Sequence, residues 1–519
     1  MLATVPSATL VGIEGRPITV EVHVSGGLPS FSIVGLPDAS CRESRDRVRA
    51  AVMSSDLSWP QRRITVNLAP TGLRKGGAAL DLPIAIALLV ADGQLDAGHV
   101  EGRSFLGELG LDGAIHRVTG ALSLVDAVIT PEVVVPADSA AEASLVGRGL
   151  VRPALTLRSL VNTLRGDDGW PAVPPLRPLG SAGRNGDLED LGGREDGEDM
   201  GEVRGQVLGR TAVEVAAAGG HHILLIGPPG VGKTMLARRL AGILPPLDTA
   251  QAIEVTRVHS AAGLSLPPGG LVRRPPFRAP HHSASLVSLV GGGGTRMRPG
   301  EVSCAHHGVL FMDEMGEFPT DVLDTLRQPL EEGRVLVCRA RASVSFPARF
   351  LLVGATNPCP CGDSDPGTCR CRDAQRARYA SRLSGPLMDR FDLRVRVERP
   401  DPDDLLPAAS GPRRIPEPTA VVAARVAAAR ARAAARGVSA NADIPVGRLE
   451  ELAPLAGDAR ASLETWLRQG RLSARGLHRI RRVARTVADL AERPGPIEAE
   501  DVFAALSMRA DPFGPRSWS

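Results

Sequence analysis

The sequence predicts an α/β protein in three folded parts, and three observations carry that prediction. Short apolar runs alternate with helical stretches through the middle of the chain: Ile223-Leu-Leu-Ile226, Val309-Leu-Phe-Met312 and Phe350-Leu-Leu-Val353. Strands that are apolar throughout are buried on both faces, the pattern of a parallel sheet covered by helices. Residues 1–165 alternate strand-like and helical runs on their own account. After a Pro/Asp-rich break at 400–418, strand patterns stop and an Ala/Arg-rich helical stretch continues to about residue 508.

A chain of 519 residues has room for three domains at ~150 residues each. In the first part (1–165), Ile18–Val24 and Arg63–Leu68 read as strands, and 39–54 and 80–91 as helices, the second entered through Asp81 before Leu82-Pro83. From 166 to 202 a Pro-rich run gives way to Gly, Asp and Glu with few apolar residues. Such a stretch cannot bury enough surface to offset its ordering entropy, so a flexible linker is expected. The sheet domain is expected over 203–400 and a helical bundle over 401–519.

The hydrophobic share of 43% and charged share of 23% are those of a soluble globular protein. No apolar run reaches the ~20 residues that cross a bilayer. The opening MLATVPSATLVGIEG lacks the basic and apolar regions of a signal peptide, so a cytoplasmic protein without a membrane partner is expected. The net charge of +3 does not by itself indicate nucleic-acid binding. Of the 61 basic residues only Lys75 and Lys233 are lysines, an arginine skew that reads as coding bias. A lysine kept against that bias invites inspection.

Lys233 lies in Gly227-Pro228-Pro229-Gly230-Val231-Gly232-Lys233-Thr234, which fits G-x-x-x-x-G-K-[ST] between an apolar strand and a helix opened by Met235. Glycines let the backbone wrap phosphates with its N–H groups, and the helix N-terminus adds a favourable dipole. This is an ATP site in expectation, with Lys233 on the β- and γ-phosphates and the Thr234 hydroxyl on Mg²⁺. About 80 residues on, an apolar strand ends in Asp313-Glu314. Asp313 is expected at the magnesium and Glu314 to polarise the attacking water as general base. A third apolar strand ends in Gly354-Ala-Thr-Asn357, and the Asn357 amide is expected to sense the γ-phosphate or hold the lytic water.

Further strings are more specific than a phosphate loop: Gly219-Gly-His-His, Pro276-Phe-Arg-Ala-Pro-His-His, Pro299-Gly-Glu-Val, Ala355-Thr-Asn-Pro-Cys-Pro-Cys-Gly, Ser384-Gly-Pro-Leu-Met-Asp-Arg-Phe-Asp392 and Leu472-Ser-Ala-Arg-Gly. Together they resemble the YifB/ComM family in the magnesium-chelatase-like branch of AAA+ ATPases, over nearly the whole chain except the linker. The resemblance implies a homo-hexameric ring with ATP between subunits. It implies Arg390 as the arginine finger offered in trans, with Arg382 as rival, and Arg475 as the second sensor arginine of a helical lid. It also implies a Lon-protease-like fold for the first part, on Leu28-Pro-Ser-Phe-Ser-Ile-Val-Gly-Leu-Pro-Asp and Ile64-Thr-Val-Asn-Leu-Ala-Pro. Lon proteases cleave with a Ser-Lys pair, and here Ala79 and Leu122 stand at the two positions, so proteolysis is not expected.

Cys359, Cys361, Cys369 and Cys371 fall within thirteen residues after Asn357. Four thiolates suit a closed structural Zn²⁺ site; free thiols and a redox disulfide are the alternatives. Cys41, Cys304 and Cys338 are expected to pack as small buried hydrophobes. His281 and His282, with no carboxylate pair nearby in sequence, read as structural. Residues 332–346 alternate like a β-hairpin with Arg339 and Arg341 near the tip, and Val287–Pro299 reads as a mobile glycine-rich loop carrying Arg296 and Arg298. In related ring motors a hairpin at this point lines the pore, so these arginines are candidates to grip DNA phosphates; ordinary surface charge is the other reading. Aromatic residues make up 3% of the chain, which leaves no evident base-stacking platform. The expected function is an ATP-driven motor on branched or single-stranded DNA, with a protein-remodelling ATPase acting on a protein partner as the competitor and a nucleotide-dependent scaffold as a third reading.

Overall fold

The computed structural model describes residues 1–73, 75–173, 198–293, 297–339, 342–362, 369–383, 385–405 and 416–510. Its first part opens with β1 (Leu2–Val11), β2 (Glu14–Ser25), β3 (Ser30–Val34), α1 (Ala39–Ser54), β4 (Arg63–Ala69) and α2 (Asp81–Ala91). The four strands make a sheet in the order β1-β2-β4-β3, antiparallel except for the β3–β4 pair. In β4 every second side chain, Ile64, Val66 and Leu68, is buried, the period of two that seats one sheet face on α2. Helix α2 is apolar nearly all round, and it is buried nearly all round. Asp81 is buried at its first position and bound at both carboxylate oxygens by Arg47 of α1 at 2.6 and 3.0 Å.

Then follow β5 (Arg103–Phe105), β6 (Glu108–Leu109), β7 (Ile115–His116), α3 (Ala121–Ala127), β8 (Glu132–Pro136), α4 (Ala140–Ser144), β9 (Leu150–Ala154) and α5 (Leu157–Arg165). Helix α5 stops at Gly166, whose φ of 89° closes it in the left-handed conformation. Lys75 is buried in this part, its ammonium donating to the Pro70 carbonyl, and burial holds its pKa below the usual lysine value. Leu122 is buried and Ala79 partly so, and neither supplies a hydroxyl or an amine.

The middle of the chain contains α6 (Val207–Gly219), β10 (Ile223–Ile226), α7 (Lys233–Ile243), α8 (Thr249–Ala262), β11 (Phe277–Arg278), α9 (Leu286–Val290), β12 (Gly291–Gly292), β13 (Arg298–Pro299), α10 (Glu301–Cys304) and β14 (Val309–Met312). It continues through α11 (Thr320–Thr325), α12 (Arg327–Glu332), β15 (Arg334–Arg339), β16 (Ala342–Pro347), β17 (Leu351–Thr356), α13 (Asp373–Arg382), α14 (Gly385–Met388), β18 (Leu393–Arg396) and α15 (Pro402–Leu405). Five strands form one parallel sheet in the order β11-β14-β17-β10-β18. All residues of β10, β14 and β17 are buried, as their unbroken apolar runs require.

The helical C-terminal region comprises α16 (Thr419–Ala435), α17 (Leu449–Leu452), α18 (Gly457–Arg468), α19 (Ala474–Leu490) and α20 (Ala499–Ser507). Val422, Ile480, Val483 and Val502 share one core with Ile223, Leu225 and Val395 of the sheet, the bundle packing on α6 and α7, which cover that face of the sheet. The first part meets the middle at α8. Ala261 enters its core, the Gly120 N–H donates to Ser260 Oγ at 2.9 Å, and Arg257 pairs with Asp126 at 2.8 Å. Among the described residues no helix is long and apolar enough to cross a membrane.

Candidate functional site

In an open parallel sheet, ligands sit beyond the carboxyl ends of the strands. Here those ends bring three distant segments together. The turn after β10 runs through Gly230 and Gly232 at φ 78° and 94°, values that favour glycine, and delivers Lys233 at the start of α7. Lys233 Nζ donates to the carbonyls of Gly227 and Pro228 at 2.6 and 2.8 Å and to Asn357 Oδ1, at the end of β17, at 3.0 Å. Burial lowers the Lys233 pKa to about 8, against the opposing pull of Asp313 and Glu314. Thr234 Oγ1 donates to Asp313 Oδ2 at 2.8 Å, just past the end of β14. A hydroxyl beside a carboxylate, both hard oxygen donors, fits Mg²⁺, and the glycine turn with its lysine fits a triphosphate.

Glu314 follows in an unusual backbone conformation, φ 48° and ψ 46°, and its side chain is half exposed above the site. A non-glycine residue held there is strained, the kind of outlier that gathers at functional positions. One partnership here was not legible in the sequence. His282, read from sequence as structural, brings Nδ1 to 3.2 Å from Glu314 Oε2 and lines a cleft of about 250 Å³ with Thr234, Asp313 and Glu314. Its loop leaves β11, anchored where Arg278 grips Glu301 through two bonds at 2.6 and 2.8 Å and Phe277 stacks on Phe311 of β14. The sequence hid this because the carboxylate lies 32 positions away and meets the histidine only through the β11–β14 pairing.

The other candidates lie around this centre. Arg390 pairs with Glu331 of its own chain, and its pKa is lowered by burial and by Arg479, Arg475 and Arg327. Arg382 donates to the Gly316 carbonyl at 2.8 Å and to Glu317 at 3.1 Å. Arg475 is exposed in the first turn of α19, which Ser473 caps. Strands β15 and β16 form the expected hairpin, from Arg334 opposite Pro347 to Arg339 opposite Ala342. Val335, Val337, Val344 and Phe346 face inward, with Val11 and Ile13 of the first part packed against their cluster, while Arg339 is exposed. Arg341 and Arg296 lie outside the described residues.

At two places the structure differs from expectation. Residues 287–299, expected as a mobile loop, contain helix α9 and the antiparallel pair β12–β13, which brings exposed Arg298 opposite Gly292. Gly291 there is closely packed: an added side chain would overlap the Arg298 carbonyl of the paired strand. Cys338 is exposed rather than buried, because its place in the alternating hairpin puts it on the solvent side; Cys41 and Cys304 are buried as expected.

The four clustered cysteines converge. Their Sγ atoms all lie within 4.8 Å of one another, with Cys359 at 3.2 Å from Cys361 and 3.7 Å from Cys369, and Cys361 at 3.6 Å from Cys369. Burial, and then hydrogen bonds from Cys361 and Cys369, push the Cys359 thiol up to about 12. A second group, Glu254, His306 and His307, is no comparable ligand set. His306 Nδ1 accepts the Arg349 N–H at 3.0 Å, so its Nε2 carries the proton and donates to Glu254 at 3.1 Å. With His307, also 3.1 Å from Glu254, it ties α8 to the turn before β14.

Comparison with known proteins agrees with this geometry. Residues 199–405 match the family described as "Magnesium chelatase, subunit ChlI", residues 20–139 match "Subunit ChlI of Mg-chelatase", and residues 416–509 match "Magnesium chelatase, subunit ChlI C-terminal". The chain is 45% identical to a protein of Mycobacterium tuberculosis (strain H37Rv), with 97% of each chain covered. It is 41% identical to YifB of Salmonella typhimurium over 98% of this chain and 97% of YifB. It is also 41% identical to the competence protein ComM of Haemophilus influenzae, over 94% of each. With a sheet, a phosphate-type loop and near full-length likeness in agreement, the chain belongs to the YifB/ComM family of magnesium-chelatase-like AAA+ ATPases.

Proposed function

We propose that this protein hydrolyses ATP as a cytoplasmic homo-hexameric ring and uses the energy to move along DNA, as a translocase or branch-migration helicase in recombination or DNA uptake. The observation that carries the reading is the meeting of Lys233, Thr234, Asp313, Glu314 and Asn357 at the carboxyl ends of β10, β14 and β17. In this reading the N–H groups from Gly227 to Met235 cradle the phosphates, and Lys233 exchanges its carbonyl partners for phosphate oxygens. Thr234 and Asp313 hold Mg²⁺, which neutralises charge on the phosphates when bound. Glu314 takes the proton of the attacking water, and Asn357 orients that water or the γ-phosphate. Arg390 leaves Glu331 for the neighbouring subunit's nucleotide, with Arg382 as the rival finger, and Arg475 contacts the nucleotide from the helical side. The cysteine cluster holds a structural Zn²⁺.

The DNA reading draws support from Arg339 at the exposed end of a hairpin whose other face is locked in the core, from exposed Arg298, and from the name of the competence relative. Phosphate gripping needs no base-stacking surface, which suits a chain so poor in aromatic residues. A protein-remodelling motor is the second reading. It is favoured by the family description and by Leu336, half exposed on the same hairpin, which suits an apolar polypeptide better than a phosphate.

Steady-state ATP turnover with and without four-way-junction DNA decides between them. Stimulation by DNA that disappears in Arg339/Arg341→Ala, with Glu314→Gln inactive throughout, supports the DNA motor. Turnover that Glu314→Gln abolishes but no DNA alters refutes it and favours a protein substrate.

A further inference from the structure

The cysteine cluster does more than close a loop, because the two segments it joins reach two different parts of the nucleotide site, the phosphate loop and the turn after Glu314. The first, residues 357–362, begins with the side chain that accepts from Lys233. It ends at Gly362, where φ is 84° and an added side chain would come within 2.6 Å of the Pro229 ring in the phosphate loop. Between these points lie Cys359, almost fully buried, and Cys361. The second segment starts with Cys369 and Cys371 and runs into α13. On that helix Tyr379 is buried, with its hydroxyl 3.2 Å from Thr356 Oγ1 at the end of β17. The same ring fills the space over Gly316, two residues beyond Glu314: a side chain there would lie 2.4 Å from Tyr379. Arg382, one turn on, donates to the Gly316 carbonyl.

The geometry points to a zinc staple that couples metal loading to the order of the nucleotide site: Cys359, Cys361, Cys369 and Cys371 bind one Zn²⁺, and the closed site holds Asn357 and Gly362 against the phosphate loop and Tyr379 against the turn after Glu314. The tetrathiolate itself is part of the function proposed above; its control of the nucleotide site is the further step. Zn–S bonds of ~2.3 Å in a tetrahedron place thiolates about 3.8 Å apart, and the observed 3.2, 3.6 and 3.7 Å are close to that spacing. Four thiolates on one dication leave a charge of 2−; Arg370 lies between the last two cysteines and Arg372 directly follows them, while Arg376 is paired with Asp373. With all four positions filled by sulfur, the metal keeps no place for substrate, so its effect passes only through the segments it joins.

The test uses the full chain purified under reducing conditions. Metal analysis is expected to find one zinc per chain, lost in Cys361→Ser and in Cys369→Ser, and Co²⁺ exchange is expected to give the visible bands of a tetrahedral tetrathiolate. Stripping the zinc with a chelator is expected to speed amide exchange in residues 227–234 and 314–317 and to lower turnover about tenfold, both restored by zinc. Tyr379→Ala is expected to keep the zinc yet show the faster exchange in residues 314–317. Protein that holds no zinc and gives no cobalt spectrum overturns the staple. Zinc that is present but whose removal changes neither exchange nor turnover overturns the coupling. Zinc-dependent exchange in a protein that turns over no ATP supports the staple while refuting the ATPase reading.

Discussion

Nucleotide binding at Lys233 is expected to be proton-linked. Burial holds its pKa at about 8 in the free site, and contact with phosphate oxygens favours the charged form and raises the pKa again. The sign follows from which state holds the proton. Well below pH 8 the free lysine is already charged and binding takes up almost nothing; well above it, free lysine is neutral and each nucleotide bound must bring a proton. At pH 8 about half a proton is taken up per site, and at pH 9 about nine-tenths. Apparent affinity therefore weakens about fivefold to tenfold between pH 7.5 and 9, or ~1 kcal/mol, the ATP phosphates being already ionised over that range. Calorimetric titration with a non-hydrolysable ATP analogue, repeated at pH 8 in buffers of different ionisation enthalpy, reads the uptake directly. Lys233→Ala should bind weakly and lose the uptake. Affinity that stays flat from pH 7.5 to 9, with no buffer dependence of the enthalpy, would refute the argument.

Other predictions concern the surroundings of Glu314 and the packing of the bundle. His282→Ala should lower kcat about tenfold with nucleotide affinity within twofold, and His282→Gln, which keeps a donor toward Glu314, should recover part of the loss; a raised KM at unchanged kcat would mean the histidine contacts substrate instead. Glu314→Gln should bind nucleotide normally while turnover falls about a hundredfold or more, measured by a fluorescent analogue and phosphate release. In the bundle, Asp489 is fully buried and accepts from Arg485 at 3.2 Å, from Asn441 at 2.8 Å and from Arg436. Asp489→Ala leaves the almost fully buried Arg485 without its carboxylate and should cost ~3–5 kcal/mol in urea unfolding, whereas exposed Glu464→Ala, which breaks a surface pair with Arg468, should cost under ~0.5 kcal/mol.

The sequence alone determined the elements whose signal is local. Unbroken apolar runs required buried strands, a glycine turn before Lys233-Thr234 required a strand-to-helix phosphate loop, and an alternating run required the 334–347 hairpin. Each rests on hydrogen bonding and burial within a dozen residues, where period and turn chemistry leave little choice. Tertiary structure decided what meets across the sheet. Only the order β11-β14-β17-β10-β18 brings Asn357 to Lys233 across 124 positions and sets His282 on Glu314. Cys338 shows the same limit in reverse: its residue type suggested burial, but its register on the hairpin turned it to solvent. Spacing suggested that four cysteines could share a metal; that the segments they join reach both Pro229 and Gly316 was written in no local pattern. Long-range pairing is set by which faces bury together across the whole core, and residues distant in sequence become partners only once that packing is complete.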